Sequence, residues 1–156
     1  MTKRSVVHAT FVLERVYPAS PDRVFNAFAD PKAKARWFGG PPEWERDRQE
    51  MDFRVGGHET SVGGPKGGTI HSFSAIYQDI VPNERIIYTY EMQLDGKRIS
   101  VSLASIELKP EGAGTRLKLT GHGAYLDGYD DAGARGHGTK DLLDKLGASL
   151  QQDKTD

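Results

Sequence analysis

The chain has 156 residues, with 21 Lys and Arg against 22 Asp and Glu, a formal net charge of −1 and no cysteine. Acidic and basic residues are intermixed, so no basic footprint for nucleic acid exists, and disulfide or thiol chemistry is excluded. The length suits one domain over residues 1–156, able to bury roughly 70% of its unfolded surface. No signal-peptide core and no run of transmembrane length occurs, so the expectation is a cytoplasmic protein with no membrane partner.

From Ser5 to Tyr17 apolar residues occupy both alternating sets, Val7, Phe11 and Leu13 on one and Val6, Val12 and Val16 on the other. That pattern predicts a strand partly covered on both faces. Ser20 then stands as an N-cap, with Pro21 at the first helical position and Asp22 in the first turn. Val24, Phe25 and Phe28 give the short helix an apolar face. Asp30-Pro31 repeats the signal, and a second short helix runs toward Trp37-Phe38. Gly39-Gly40-Pro41-Pro42 is a loop.

Residues 46–55 and 58–63 read as a hairpin turning at Gly56-Gly57, and residues 63–68 form a second, glycine-rich turn. Strands follow near 69–81, 85–94, 98–109 and 114–124. Asp95-Gly96 between two of them is a two-residue hairpin signal that favours positive φ. The last element changes period: Leu142, Leu143, Leu146 and Leu150 mark an amphipathic helix from about residue 132. Gly133, Gly136, Gly138 and Gly147 weaken it by ~1 kcal/mol each, which predicts an irregular N-terminal part.

Several residues could carry chemistry. In strand 85–94 Ile86, Tyr88, Tyr90 and Met92 share one face; in strand 114–124 Leu117 and Leu119 do. In strand 98–109 Val101 and Leu103 oppose Ala104 and Ile106. A buried phenol needs a hydrogen-bond partner, which a ligand can supply. His8, His58, His71, His122 and His137 lack metal-ligand spacing, so neither a metal nor a cofactor is expected. His122, Glu91 and the tyrosines are the nearest acid–base candidates, but strict alternation turns His122 outward. Asp127, Asp130 and Asp131 read as a solvated, helix-capping loop without the calcium-loop pattern. No glycine-rich phosphate loop and no nucleophile elbow occurs, so no catalytic set is assigned.

The stretch from Glu14 to Phe38 resembles the opening of the START-like, Bet v 1-like superfamily, specifically the bacterial branch similar to the C-terminal domain of activator of Hsp90 ATPase. Asp52-Phe53-Arg54-Val55-Gly56-Gly57 is similar to the family's D-x-R-x-G-G hairpin, and Asp79 to Ile86 to its I-x-P-x-E-R turn. Gly114-Thr115-Arg116-Leu117, Leu126-Asp127-Gly128 and the closing Leu-rich helix follow in order.

The resemblance implies an α+β helix-grip fold: a curved antiparallel sheet of about six or seven strands wrapped on a long C-terminal helix, with two short helices after the first strand. A sheet wrapped on one helix leaves a cavity between them. The expected guest is a small apolar or amphipathic molecule. Candidate cavity residues are Trp37, Phe38, Trp44, Phe53, Phe73, Tyr88, Tyr90, Met92, Leu103, Leu117, Leu119, Leu142 and Leu146.

An enzyme of the cyclase or hydrolase kind using the same cavity is the alternative. A co-chaperone role is the third reading. The resemblance covers only the C-terminal half of the eukaryotic activator, so an Hsp90-type partner is not expected. Homodimerisation through an exposed sheet edge is plausible for such a fold.

Overall fold

The computed structural model describes residues 3–155, with side chains to residue 151. In chain order it contains β1 (Val6–Tyr17), α1 (Pro21–Ala29), α2 (Pro31–Ala35), β2 (Glu45–Met51) and β3 (His58–Gly64). It continues with β4 (His71–Val81), β5 (Arg85–Leu94), β6 (Lys97–Glu111), β7 (Gly114–Leu126) and α3 (Ala132–Thr155). The strands form one seven-stranded antiparallel sheet in the order β1-β7-β6-β5-β4-β3-β2. Bulges between Tyr77 and Asp79 and between Met92 and Gln93 bend it. This is the helix-grip fold that the sequence implied.

Turn chemistry acts as the sequence predicts. Asp95 and Gly96 both take positive φ, at 50° and 79°, and so join β5 to β6 in a tight hairpin. The two short helices share one residue: Asp30 closes α1 through its backbone amide and caps α2 by accepting from the Lys32 amide at 3.2 Å. α2 stops at Ala35, short of Trp37. The Trp37 indole instead turns back to donate to the Ala27 carbonyl at 3.0 Å.

α3 lies across β1, β7 and α1. Leu143, Leu146 and Leu150 enter a core with Val24, Phe28, Ile106 and Leu117. Tyr17 anchors the helix by donating to the Leu143 carbonyl at 2.7 Å, and Arg23 reaches the Leu150 carbonyl at 2.8 Å. The glycines do not interrupt α3, which is continuous from Ala132. Gly147 has a packing reason, since a Cβ there would come within 3.1 Å of the Tyr17 ring. Tertiary contact thus overrides the propensity cost.

β1 also differs from expectation. Its inward set, Phe11, Leu13 and Tyr17, packs on the core, but Val6, Val12 and Val16 are more than half exposed. Nothing among the described residues covers the outer face of this edge strand.

Among the described residues, α2 is tied to the sheet by a buried ion pair. Lys34 Nζ lies 2.5 Å from Glu59 Oε1 on β3, with both side chains under a tenth exposed. The Tyr77 hydroxyl donates to the same carboxylate oxygen. Burial pushes the Lys34 ammonium below its ordinary pKa, and Glu59 pulls against that shift.

Losing one member strands the other charge in an apolar surrounding. Lys34→Met should therefore lower the unfolding free energy by ~3–5 kcal/mol in urea titrations. Lys34→Met combined with Glu59→Gln should recover most of that loss. Equal destabilisation by the single and the double variant would show that the pair does not hold α2.

Candidate functional site

A cavity of about 660 Å³ lies between the concave face of the sheet and the helices. α3 covers the β1–β7 side of that face. Over β4 and β5 the covering elements are α2 and the 38–44 loop, and the space left between them is the cavity. Phe73, Tyr88, Tyr90 and Met92 line it from β4 and β5, Leu119 and Gly121 from β7, and Phe11 from β1. Leu142, Leu143 and Thr139 line it from α3. Exposed lining residues, Arg46, Asp141 and Lys145 among them, mark the open side.

The lining has a continuous aromatic strip. Phe38 meets Phe73 edge-on at 5.0 Å, Phe73 meets Tyr90 at 5.2 Å, and Tyr90 meets Tyr88 at 5.7 Å. Two cations contact the strip, one at its Phe38 end and one at Tyr90. Lys34 Nζ sits 4.5 Å over the Phe38 ring, and the Arg135 guanidinium lies 5.6 Å from the ring centres of both Tyr90 and Tyr125.

Glycines make room for this arrangement. A side chain at Gly121 would strike the Phe11 ring at 2.5 Å, and one at Gly40 would strike the Trp44 ring at 2.2 Å. Trp44 in turn lies against the His71 ring at 4.5 Å.

The polar groups are few and mostly engaged. Lys34 is held by Glu59, as described above. Arg135 donates to the Tyr90 hydroxyl at 3.2 Å, to Ser100 Oγ at 2.8 Å, and to the Asp130 carboxylate. The Tyr88 hydroxyl has no hydrogen-bond partner among the described residues. Burial pushes the Tyr88 phenol well above its ordinary pKa, with Tyr90 and Glu59 adding to the effect, so it stays a neutral donor. Outside the lining, Ser102 Oγ on β6 is buried and has no partner among the described residues. Among the described residues no group of three or more His, Asp or Glu side chains is placed to hold a metal ion.

Of the sequence candidates, Trp37, Phe38, Trp44, Phe73, Tyr88, Tyr90, Met92, Leu119 and Leu142 line the cavity. Four do not. Leu103 is 41% exposed on the outer face, where it pairs with Thr89 and His122. The smaller Ser102 and Ala104 are the inward residues of β6, so side-chain size was a misleading guide there.

Phe53 follows β2 and packs edge-on against Tyr77 at 4.9 Å and Phe25 at 5.7 Å, beneath α1 rather than on the cavity. Leu117 and Leu146 have no exposure and fill the main core where α3 sits closest to the sheet.

The acid–base candidates fare similarly. His122 is exposed and bonded to Thr10 Oγ1 at 2.5 Å. Glu91 pairs with Arg98 at 3.6 Å, away from the cavity lining.

Lys34, Asp130, Arg135 and Phe11 were not among the candidates, yet all line the cavity. A signal existed for two of them. Arg135 lies seven residues before Leu142 and so continues the apolar stripe of α3, and Lys34 lies three before Trp37 on the inward side of α2. A charged residue on an apolar stripe is the mark of a buried, partnered charge.

A family model described as activator of Hsp90 ATPase homolog 1-like protein matches residues 18–151. Among solved structures, an uncharacterised protein from Rhizobium leguminosarum is 44% identical with a TM-score of 0.91, over 97% of this chain and 99% of that one. A protein from Rhizobium loti is 46% identical with a TM-score of 0.85, over 93% and 99%. An AHSA1-like protein from Aeromonas hydrophila, at 17% identity and a TM-score of 0.72 over 95% and 96%, shares the fold. No curated protein matches the chain. With its helix-grip sheet and a match that runs from the end of β1 almost to the end of α3, the chain belongs to the activator of Hsp90 ATPase homolog 1-like family.

Proposed function

We propose that this protein binds one small apolar or amphipathic molecule in the cavity between the sheet and α3. The observation that carries the reading is the aromatic strip Phe38–Phe73–Tyr90–Tyr88, which lines a space of about 660 Å³ and ends on an unpartnered Tyr88 hydroxyl. Mostly apolar lining with a few placed polar groups is the usual composition of a small-molecule site. A fold of ligand-binding type supports it, although fold alone does not assign function.

Catalysis in the same cavity is a second reading, and Lys34 favours it. Its amine is buried, lines the cavity, and has its charge disfavoured by that burial. Beside it Glu59 supplies a carboxylate for proton exchange. Self-association is a separate proposal, supported by the exposed valines Val6, Val7, Val12 and Val16 along the edge strand β1.

Titration with the neutral fluorophore Nile red should give saturable binding of one molecule per chain. Met92→Trp, which adds bulk to the lining, should weaken it about tenfold or more, and Leu103→Trp on the outer face should leave it unchanged. Equal effects of the two, or no saturation, would sink the binding reading. Hydrolysis of p-nitrophenyl dodecanoate should exceed the free-solution rate in the wild type, fall to that rate in Lys34→Met, and persist in His122→Ala; absence of any acceleration removes the hydrolytic reading. In native mass spectra, self-association predicts a peak at two chain masses that returns to one in Val12→Lys, and a single-chain peak for the wild type rejects it.

A further inference from the structure

Resting on the binding reading above, we infer that the Arg135 end of the cavity is a head-group site for a carboxylate, which makes the guest an amphipathic acid. The inference follows from a count of donors and acceptors.

Arg135 is only 8% exposed although it belongs to the first turn of α3. Its guanidinium has five N–H donors and no acceptor. Two of the groups it reaches, Tyr90 and Ser100, are hydroxyls that receive its protons. Each of those hydroxyls keeps its own proton, and neither donates it to another group among the described residues.

Ser102, next inward on β6, is 6% exposed and its Oγ has no partner among the described residues, although it is not part of the cavity lining.

Within the cavity lining, the guanidinium and the unspent Tyr90 hydroxyl proton face one charged acceptor, the Asp130 carboxylate. A buried donor without an acceptor is costly, and an imbalance of this size is best answered by a group with several lone pairs and no proton of its own. A carboxylate has about four acceptor sites, matches the planar guanidinium two-pronged, and carries the complementary charge. An alcohol head would add another donor.

Asp130 is itself a model of what the site takes. It lies in the short segment between β7 and α3, lines the cavity beside Arg135, and its side chain is 15% exposed. It holds the guanidinium in place and competes with an incoming acid for the same N–H groups. Its second oxygen accepts from the Asp131 amide at 2.9 Å, so the segment keeps a tie of its own. The tail of the guest would then run from Arg135 along Tyr90 and Phe73 toward Phe38, the order in which these rings touch.

The test uses two matched pairs, pyrene-1-butanoate with pyrene-1-butanol and dodecanoate with dodecanol, titrated into the full chain at pH 8. Pyrene is read directly and the alkyl pair by displacement of Nile red. The expected result is that each acid binds about tenfold or more tighter than its alcohol. Arg135→Met, and Arg135→Met with Asp130→Asn in case the lone carboxylate harms folding, should abolish that preference, bringing the acid-to-alcohol affinity ratio to within about threefold of one. Tyr90→Phe should weaken the acids alone, and Asp130→Asn should strengthen them about threefold or more by removing the competitor. Alcohols bound as tightly as acids in the wild type, or Arg135→Met lowering both alike, would overturn the head-group site while leaving the binding reading intact. Failure of Nile red and of all four probes to bind would overturn both.

Discussion

The whole architecture depends on a mismatch of width: a seven-stranded bent sheet presents more concave apolar surface than a single helix can cover. α3 is spent on the β1–β7 side, where Leu143 and Leu146 meet Leu117 and Ile106 and the core closes with no exposure. The β4–β5 side is left to α2 and the 38–44 loop, which are too short to fill it. Phe73, Tyr90 and Ala104 of the second apolar cluster therefore form part of the wall of a cavity rather than the middle of a core. The cavity sits where packing is incomplete.

Two buried charge pairs stand at the ends of that incomplete region. Lys34–Glu59 joins α2 to β3, and Arg135–Asp130 joins the start of α3 to the segment before it. Pairs of this kind contribute little net stability compared with well-packed apolar residues, because taking both ions out of water costs nearly what their attraction returns. Their structural effect is positional. Each fixes one covering element at the edge of the cavity, and each faces an aromatic ring with its cation. The cavity thus has a buried charge pair at each end and an aromatic wall between them.

Tyr88 and Tyr90 give the apolar wall its polar pattern. Tyr77 and Tyr17 give their phenol protons to groups inside the protein, Glu59 and the Leu143 carbonyl. Tyr88 has no such partner, and Tyr90 only receives. In a wall of rings, these leftover hydroxyls are the unpaired polar features, and an unpaired buried donor costs more than a paired one returns.

The sequence by itself determined the elements and their order. Proline after a capping Ser20 or Asp30, Asp95-Gly96 between alternating runs, and the leucine spacing of α3 are local signals. They act over a few residues and do not need the rest of the chain. The tertiary structure decided which residues meet at the cavity. A bulge opposite Met92 and Gln93 leaves Ile99 unpaired and both Ile99 and Ser100 buried; beyond it Ser102 and Ala104 face inward and Leu103 outward. One extra residue exchanges the two faces, and no periodicity reveals where it falls. Lys34 finds Glu59 across 25 positions of sequence, and Arg135 finds Tyr90 across 45. Such pairs depend on how the sheet bends around the helix, a property of the assembled layers and not of any one strand.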